Sequence, residues 1–218
     1  DSPYYGSTHC GSSERTILME LYSLLNGDDW ARNEYWMDDN TPICKWQGVG
    51  CKEGGVDADE GAVSLSLAQN KMDGGEGTNM FSPLFWQLPH LKELDIKDNN
   101  VRLNFDQIGL AKKIETLAVS TNGITDISGI SAATNLKELH LTDNGIDMPL
   151  ENTELLDMTW LQKLFISYNS FRGTLPSRIG EMTNLKEFWC YKNKLQGQLP
   201  SEIGLLTGIE YLVISENL

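Results

Sequence analysis

From residue 62 onward one pattern of apolar and polar positions recurs. An apolar residue and two polar ones lead into apolar–x–apolar, then two more positions and an asparagine. Leu91-Lys92-Glu93-Leu94-Asp95-Ile96-Lys97-Asp98-Asn99 returns as Leu136-Lys137-Glu138-Leu139-His140-Leu141-Thr142-Asp143-Asn144. Further copies end at Asn122, Asn169, Asn193 and Asn217, and a degenerate first copy runs through Leu65, Leu67 and Asn70. After a first gap of 29 residues the asparagines are spaced by 23, 22, 25, 24 and 24. Apolar–x–apolar alternation predicts a short strand with both apolar side chains on one face. The asparagine closes the strand, where its side chain serves backbone groups in the turn. No single unit can bury its own apolar row, so neighbours stack. Seven strands about 4.8 Å apart give a concave parallel sheet roughly 30 Å long.

This L-x-x-L-x-L-x-x-N-x-L period resembles the leucine-rich repeat. The predicted fold is an α/β repeat solenoid, a horseshoe with a parallel concave sheet, of about seven repeats over residues 62–218, the last incomplete. Two copies continue as Phe171-Arg172-Gly173-Thr174-Leu175-Pro176 and Leu195-Gln196-Gly197-Gln198-Leu199-Pro200, which resembles the plant-type extracellular repeat. The central copies lack that element. The stretch from Met72 to His90, with Gly74, Gly75 and Gly77, is expected to loop out of the solenoid.

Residues 1–61 form the predicted amino-terminal cap, since a solenoid must cover its first apolar face. Ser12 or Ser13, Glu14, then Ile17, Leu18, Leu21, Leu24 and Leu25 predict an amphipathic helix ending at Asn26-Gly27. Cys44-Lys45-Trp46-Gln47-Gly48-Val49-Gly50-Cys51 resembles the cap of plant receptor-kinase ectodomains and polygalacturonase-inhibiting proteins. The Asn-Gly-Asp-x-Trp turn after the helix resembles caps of secreted repeat proteins in algae and other protists. The resemblance implies a disulfide between Cys44 and Cys51 and so an oxidising compartment; two reduced core thiols are the alternative. Cys10 has no evident partner, leaving a free thiol, an intermolecular bridge or a lost partner. Cys190 falls in an inward slot of its strand and is assigned to the core.

Composition narrows the function. The chain carries 17 Lys and Arg against 31 Asp and Glu, a formal net charge of −14, which excludes a nucleic-acid phosphate binder and disfavours an anionic membrane surface. No run approaches the ~20 apolar residues of a membrane span. Asn-x-Ser/Thr acceptors are absent from the sequence, which weighs slightly against the extracellular location that the resemblance implies.

No nucleophile, P-loop, zinc or EF-hand spacing is present, and neither a cofactor nor a catalytic residue is assigned. Cys190 and His140 point to opposite faces of their strands, and His9 and His90 are isolated. Outward carboxylates Glu93, Asp95, Glu138 and Glu187 are read as solvated charge in preference to a glycosidase pair. Asp28-Asp29, Asp38-Asp39 and Asp57 to Glu60 are likewise read as loop charge in preference to a calcium site.

The outward columns carry more. One reads Ser66, Asp95, Ala118, His140, Phe165, Trp189, Val213; the next reads Ala68, Lys97, Ser120, Thr142, Ser167, Tyr191, Ser215. Phe165, Tyr168, Trp189, Tyr191 and Tyr211 are expected to cluster on the carboxyl-terminal half of the concave face, with His140 at the edge. An exposed aromatic patch on a rigid sheet suits recognition of a protein, peptide or glycan, although aromatics also favour strands for their own sake. The expected function is an extracellular recognition module of a cell-surface receptor or adhesion protein. A secreted inhibitor of a polysaccharide-degrading enzyme and a structural matrix or assembly subunit are the alternatives. Because Asn217-Leu218 lies in mid-repeat, the natural protein is expected to continue, or a partner chain to cover that end.

Overall fold

The computed structural model describes residues 13–52, 61–73 and 82–218. Cys10, His9, Gly74, Gly75, Gly77 and the acidic run Asp57 to Glu60 lie outside them.

The cap begins with helix α1, Glu14–Leu24, whose amino terminus is closed by the Ser13 hydroxyl accepting from the Thr16 amide at 3.2 Å. Ile17, Leu18 and Leu21 are buried. Leu24, placed on the apolar face by spacing, is exposed instead; it ends the helix, and the chain turns away through Asn26 at φ 51°. Tyr22, Trp30, Trp36 and Trp46 pack in sequence with ring centroids 5.0–5.8 Å apart. A disulfide joins Cys44 to Cys51. Strand β1 (Val49–Cys51) then pairs antiparallel with β2 (Ala62–Ser66), so the cap is continuous with the repeat sheet. Glu14 fastens the helix to the same place: its buried carboxylate accepts from the Gly61 and Ala62 amides at 2.7 and 2.8 Å.

The strands that follow are β3 (Glu93–Asp95), β4 (Thr116–Ala118), β5 (Glu138–His140), β6 (Lys163–Phe165), β7 (Arg172–Gly173), β8 (Glu187–Trp189), β9 (Lys194–Leu195) and β10 (Tyr211–Val213). One parallel sheet runs β2-β3-β4-β5-β6-β8-β10 with no register slip. Leu65, Leu94, Leu117, Leu139, Leu164 and Phe188 therefore stack as one buried row, with Leu67, Ile96, Val119, Leu141, Ile166 and Cys190 as the row beside it. Burial pushes the Cys190 thiol up to about 12, so this cysteine behaves as a small apolar filler.

The back of the solenoid is made of short 3-10 turns, one or two per repeat. The expected excursion from Met72 to His90 is corrected in its second part. Pro83–Gln87 forms one of these turns, and Phe85 and Trp86 are fully buried. Two large aromatic rings remove too much apolar surface from water to be left outside.

The plant-type element has a structural counterpart. Strands β7 and β9 pair in parallel as a second, two-stranded sheet, extended by a bridge from Pro149 to Arg172. Gly173 and Gly197 take φ 87° and 82° there, a region in which a Cβ is disfavoured. No helix among the described residues is long and apolar enough to cross a membrane.

Candidate ligand-binding face

Each repeat leaves its strand through a residue in left-handed backbone: Gln69, Asp98, Thr121, Asp143, Tyr168, Lys192 and Glu216 all have φ between 52° and 55°. None is glycine, so every repeat meets the steric cost of that conformation for a side-chain-bearing residue. The turn also changes where these side chains go. Strict alternation after the outward Ser167 would send Tyr168 inward; the left-handed step turns it out, leaving it 41% exposed.

The sequence-predicted residues fall into two rows. In the first, His140 stacks on Phe165 with centroids 4.4 Å apart at 27°, and Phe165 meets Trp189 edge-on at 5.2 Å and 86°. In the second, Tyr168 meets Tyr191 at 5.1 Å and 74°. The first row lies in register on β5, β6 and β8; the second follows β6 and β8, where the Tyr168 amide donates to the Tyr191 carbonyl at 3.0 Å. Phe165 is more covered than an exposed patch implies, at 9%, because it lies between His140 and Trp189. Tyr211 is strongly exposed and stands apart: its neighbour in register is Glu187, not another ring.

Charged side chains frame the rings. Lys163 bridges Glu138 at 3.1 Å and Glu187 at 3.4 Å along one edge. On the other edge the Lys192 ammonium lies over the Tyr168 ring, 4.5 Å from its centroid, donates to the Tyr168 hydroxyl at 2.9 Å and pairs with Glu216 at 3.6 Å. That hydroxyl contact raises the Lys192 ammonium above its ordinary range, and the contact with Glu138 does the same for Lys163. Sequence reasoning passed over both lysines. Lys192 was findable, since it holds the same turn position as Tyr168 one repeat on.

Two polar atoms within the rows, Trp189 Nε1 and Ser167 Oγ, are buried with no hydrogen-bond partner. Such groups cost about 1–3 kcal/mol each when unmet.

Burial lowers the His140 imidazole below its usual range, with Lys97 adding to the effect and Glu138 opposing it. A histidine depressed in the folded state binds its proton more readily when unfolded. Its contribution to stability is therefore complete above the unfolded value of about 6.5 and falls as pH drops through the folded one. His140→Phe is expected to flatten the loss of stability between pH 7 and 5, read by urea unfolding at each pH. An unchanged slope would remove His140 from the account.

The remaining candidates are placed as follows. Asp95 pairs with Lys97 at 3.4 Å, Glu93 is exposed, and the His90 imidazole lies 2.9 Å from the Lys113 ammonium. Asp28 accepts from the Tyr22 hydroxyl, and Asp38 accepts from Asn40 and Thr41 in its own turn. Among the described residues no group of three or more His, Cys, Asp or Glu converges as a metal site would.

Leucine-rich-repeat family models match residues 87–102 and 132–147, and a second model of the same repeat matches 160–182. Receptor-like protein 9b of Arabidopsis thaliana is 29% identical over 182 residues, covering 79% of this chain and 18% of its own length. Receptor-like protein 9a of the same plant is 28% identical over 183 residues, covering 78% and 18%. The chain thus spans about a fifth of the length of these relatives. Among solved structures, the Arabidopsis receptor kinase HAESA, in complex with the peptide hormone IDA and the co-receptor SERK1, superposes with a TM-score of 0.81 at 25% identity, over 94% of this chain and 34% of that one. The in-register asparagine repeat, the second sheet, the disulfide-closed cap and these likenesses agree: the chain is a solenoid of leucine-rich repeats, similar to those of plant receptor-like proteins and receptor-kinase ectodomains.

Proposed function

We propose that this chain is a ligand-recognition segment of a cell-surface receptor or adhesion protein, and that it binds a protein or peptide through the two aromatic rows on β5, β6 and β8 and the residues that follow β6 and β8. The observation that carries the reading is the contact between rings across neighbouring strands, His140–Phe165–Trp189 and Tyr168–Tyr191, confined to one half of the sheet. Aromatic rings held rigidly on a sheet supply contact area at little entropic cost. HAESA is described with a peptide hormone and a co-receptor, and partners of that kind are carried over here as part of the proposal. An extracellular location rests on the receptor-like relatives and on the disulfide, which persists in oxidising compartments.

The test uses peptides selected from a displayed random library on the wild-type protein. Trp189→Ala and Tyr191→Ala are expected to weaken the selected binders about thirtyfold, near 2 kcal/mol, while Thr116→Ala on the non-aromatic half leaves them unchanged. Circular dichroism establishes that each variant is folded. Binders indifferent to Trp189→Ala and Tyr191→Ala in folded protein would overturn the reading.

A further inference from the structure

The charges around the aromatic rows do not cancel. Of the four carboxylates beside them, Glu138 and Glu187 share the single Lys163, and Glu216 pairs with Lys192. Asp143 is exposed and forms no ion pair among the described residues. Four carboxylates against two ammonium groups leave two net negative charges at the site, on a chain whose formal net charge is −14. His140 adds no compensating charge near neutrality, being held in its neutral form by burial.

Asp143 is also well placed. It occupies the left-handed turn position one repeat before Tyr168, and its amide donates to the Ser167 carbonyl at 2.9 Å. Its backbone therefore lies one strand spacing, about 4.8 Å, from the turn that presents Tyr168. The Tyr168 ring already holds a cation supplied by the chain itself, the Lys192 ammonium, at a distance suited to cation–π attraction. In the row of turns Tyr168 thus has Lys192 on one side, itself paired with Glu216, and Asp143 on the other.

Resting on the reading above, we infer that the partner is a basic polypeptide segment. One Lys or Arg side chain pairs with Asp143 beside the Tyr168 ring, while the segment's apolar side chains lie on Phe165, Trp189 and Tyr191. An anionic polysaccharide such as a uronate polymer is disfavoured at the same place, because each of its sugars would bring a further negative charge to an uncompensated acidic frame.

The same selected peptides test the inference separately from the reading it rests on. Binders lost on Trp189→Ala are expected to carry net positive charge, to weaken as salt rises, and to weaken about fivefold on Asp143→Asn, the worth of one partly exposed ion pair. Asp106→Asn, the same charge change at an exposed site on another face, is expected to leave them unaltered. Binders that need Trp189 but are neutral or acidic, or that ignore Asp143→Asn, would overturn the basic-partner inference and leave the recognition face standing. An equal effect of Asp106→Asn would reduce the attraction to net charge and overturn it as well. Tight, Trp189-dependent binding of oligogalacturonate would overturn it in favour of the polysaccharide.

Discussion

Asn193→Ala is expected to destabilise the solenoid by about 3–5 kcal/mol, a cost more typical of a truncated core aromatic than of a polar residue. Asn193 is 7% exposed and works for two consecutive repeats, its own and the one before. Its Oδ1 accepts from the Phe171 amide at 3.0 Å, and its Nδ2 donates to the carbonyls of Ile166 and Cys190, each at 3.0 Å. Alanine leaves these backbone groups buried and unmet, at about 1–3 kcal/mol apiece before relaxation. Asn193→Asp is expected to be no milder. It keeps the acceptor, but turns a negative oxygen toward two carbonyls where the amide donated. Urea unfolding followed by far-ultraviolet circular dichroism measures both. A loss under 1 kcal/mol for Asn193→Ala would mean that water replaces the ladder, and that stacking of the apolar rows alone sets the fold. Asn217 makes the corresponding bonds to Leu195, Cys190 and Ile214 but is less buried, so Asn217→Ala is expected to cost clearly less.

The ladder also explains why so much of the fold was legible. Asparagine at a fixed place fixes the phase of each repeat, phase fixes which side chains point inward, and inward rows in register must stack. Asn122, Asn144 and Asn169 bond to carbonyls of their own repeat and the preceding one in the same way. The assignment of Cys190 to the core and of His140, Phe165, Trp189 and Tyr191 to the outer columns follows from that single constraint. Asn70 shows its limit. In the degenerate first copy the side chain serves the cap, accepting from the Arg32 amide and donating to the Arg32 carbonyl, an exchange across 38 residues that no local pattern announces.

The parts that sequence reading missed depend on geometry outside the strand. The inward return of Phe85 and Trp86 follows a glycine-rich stretch that reads as an excursion, whereas Tyr168, expected on the face, reaches it through a left-handed turn that alternation alone does not give. Lys163 and Lys192 hold their partners through side-chain conformations, which spacing does not determine. Glu14 is the same kind of case: a charge in the first turn of a helix reads as a capping preference, whereas its carboxylate is spent on the amides that open β2.

Trp46→Ala is expected to cost more than reducing the disulfide beside it. Trp46 is 1% exposed; its indole donates to the Thr41 carbonyl at 3.2 Å, its ring lies 5.0 Å from Trp36, and the Arg15 guanidinium sits 5.0 Å over it. Removing a fully buried indole costs about 3–5 kcal/mol. The bond from Cys44 to Cys51 spans only 7 positions, and closing so short a loop restricts the unfolded chain by about 2–3 kcal/mol. The aromatic cluster therefore holds the cap and the disulfide trims it. Because each repeat contacts only its neighbours, the damage should stay at one end. Hydrogen exchange on Trp46→Ala is expected to show α1 and β1 losing protection while β5, β6 and β8 keep theirs, with a milder version of the same map for the reduced wild type. Greater loss in the reduced protein than in Trp46→Ala would reverse the order and make the covalent closure the principal support of the cap. Loss spread evenly to β8 would mean that the cap is not a local unit, and that its packing is coupled to the aromatic rows, as far as six strands away.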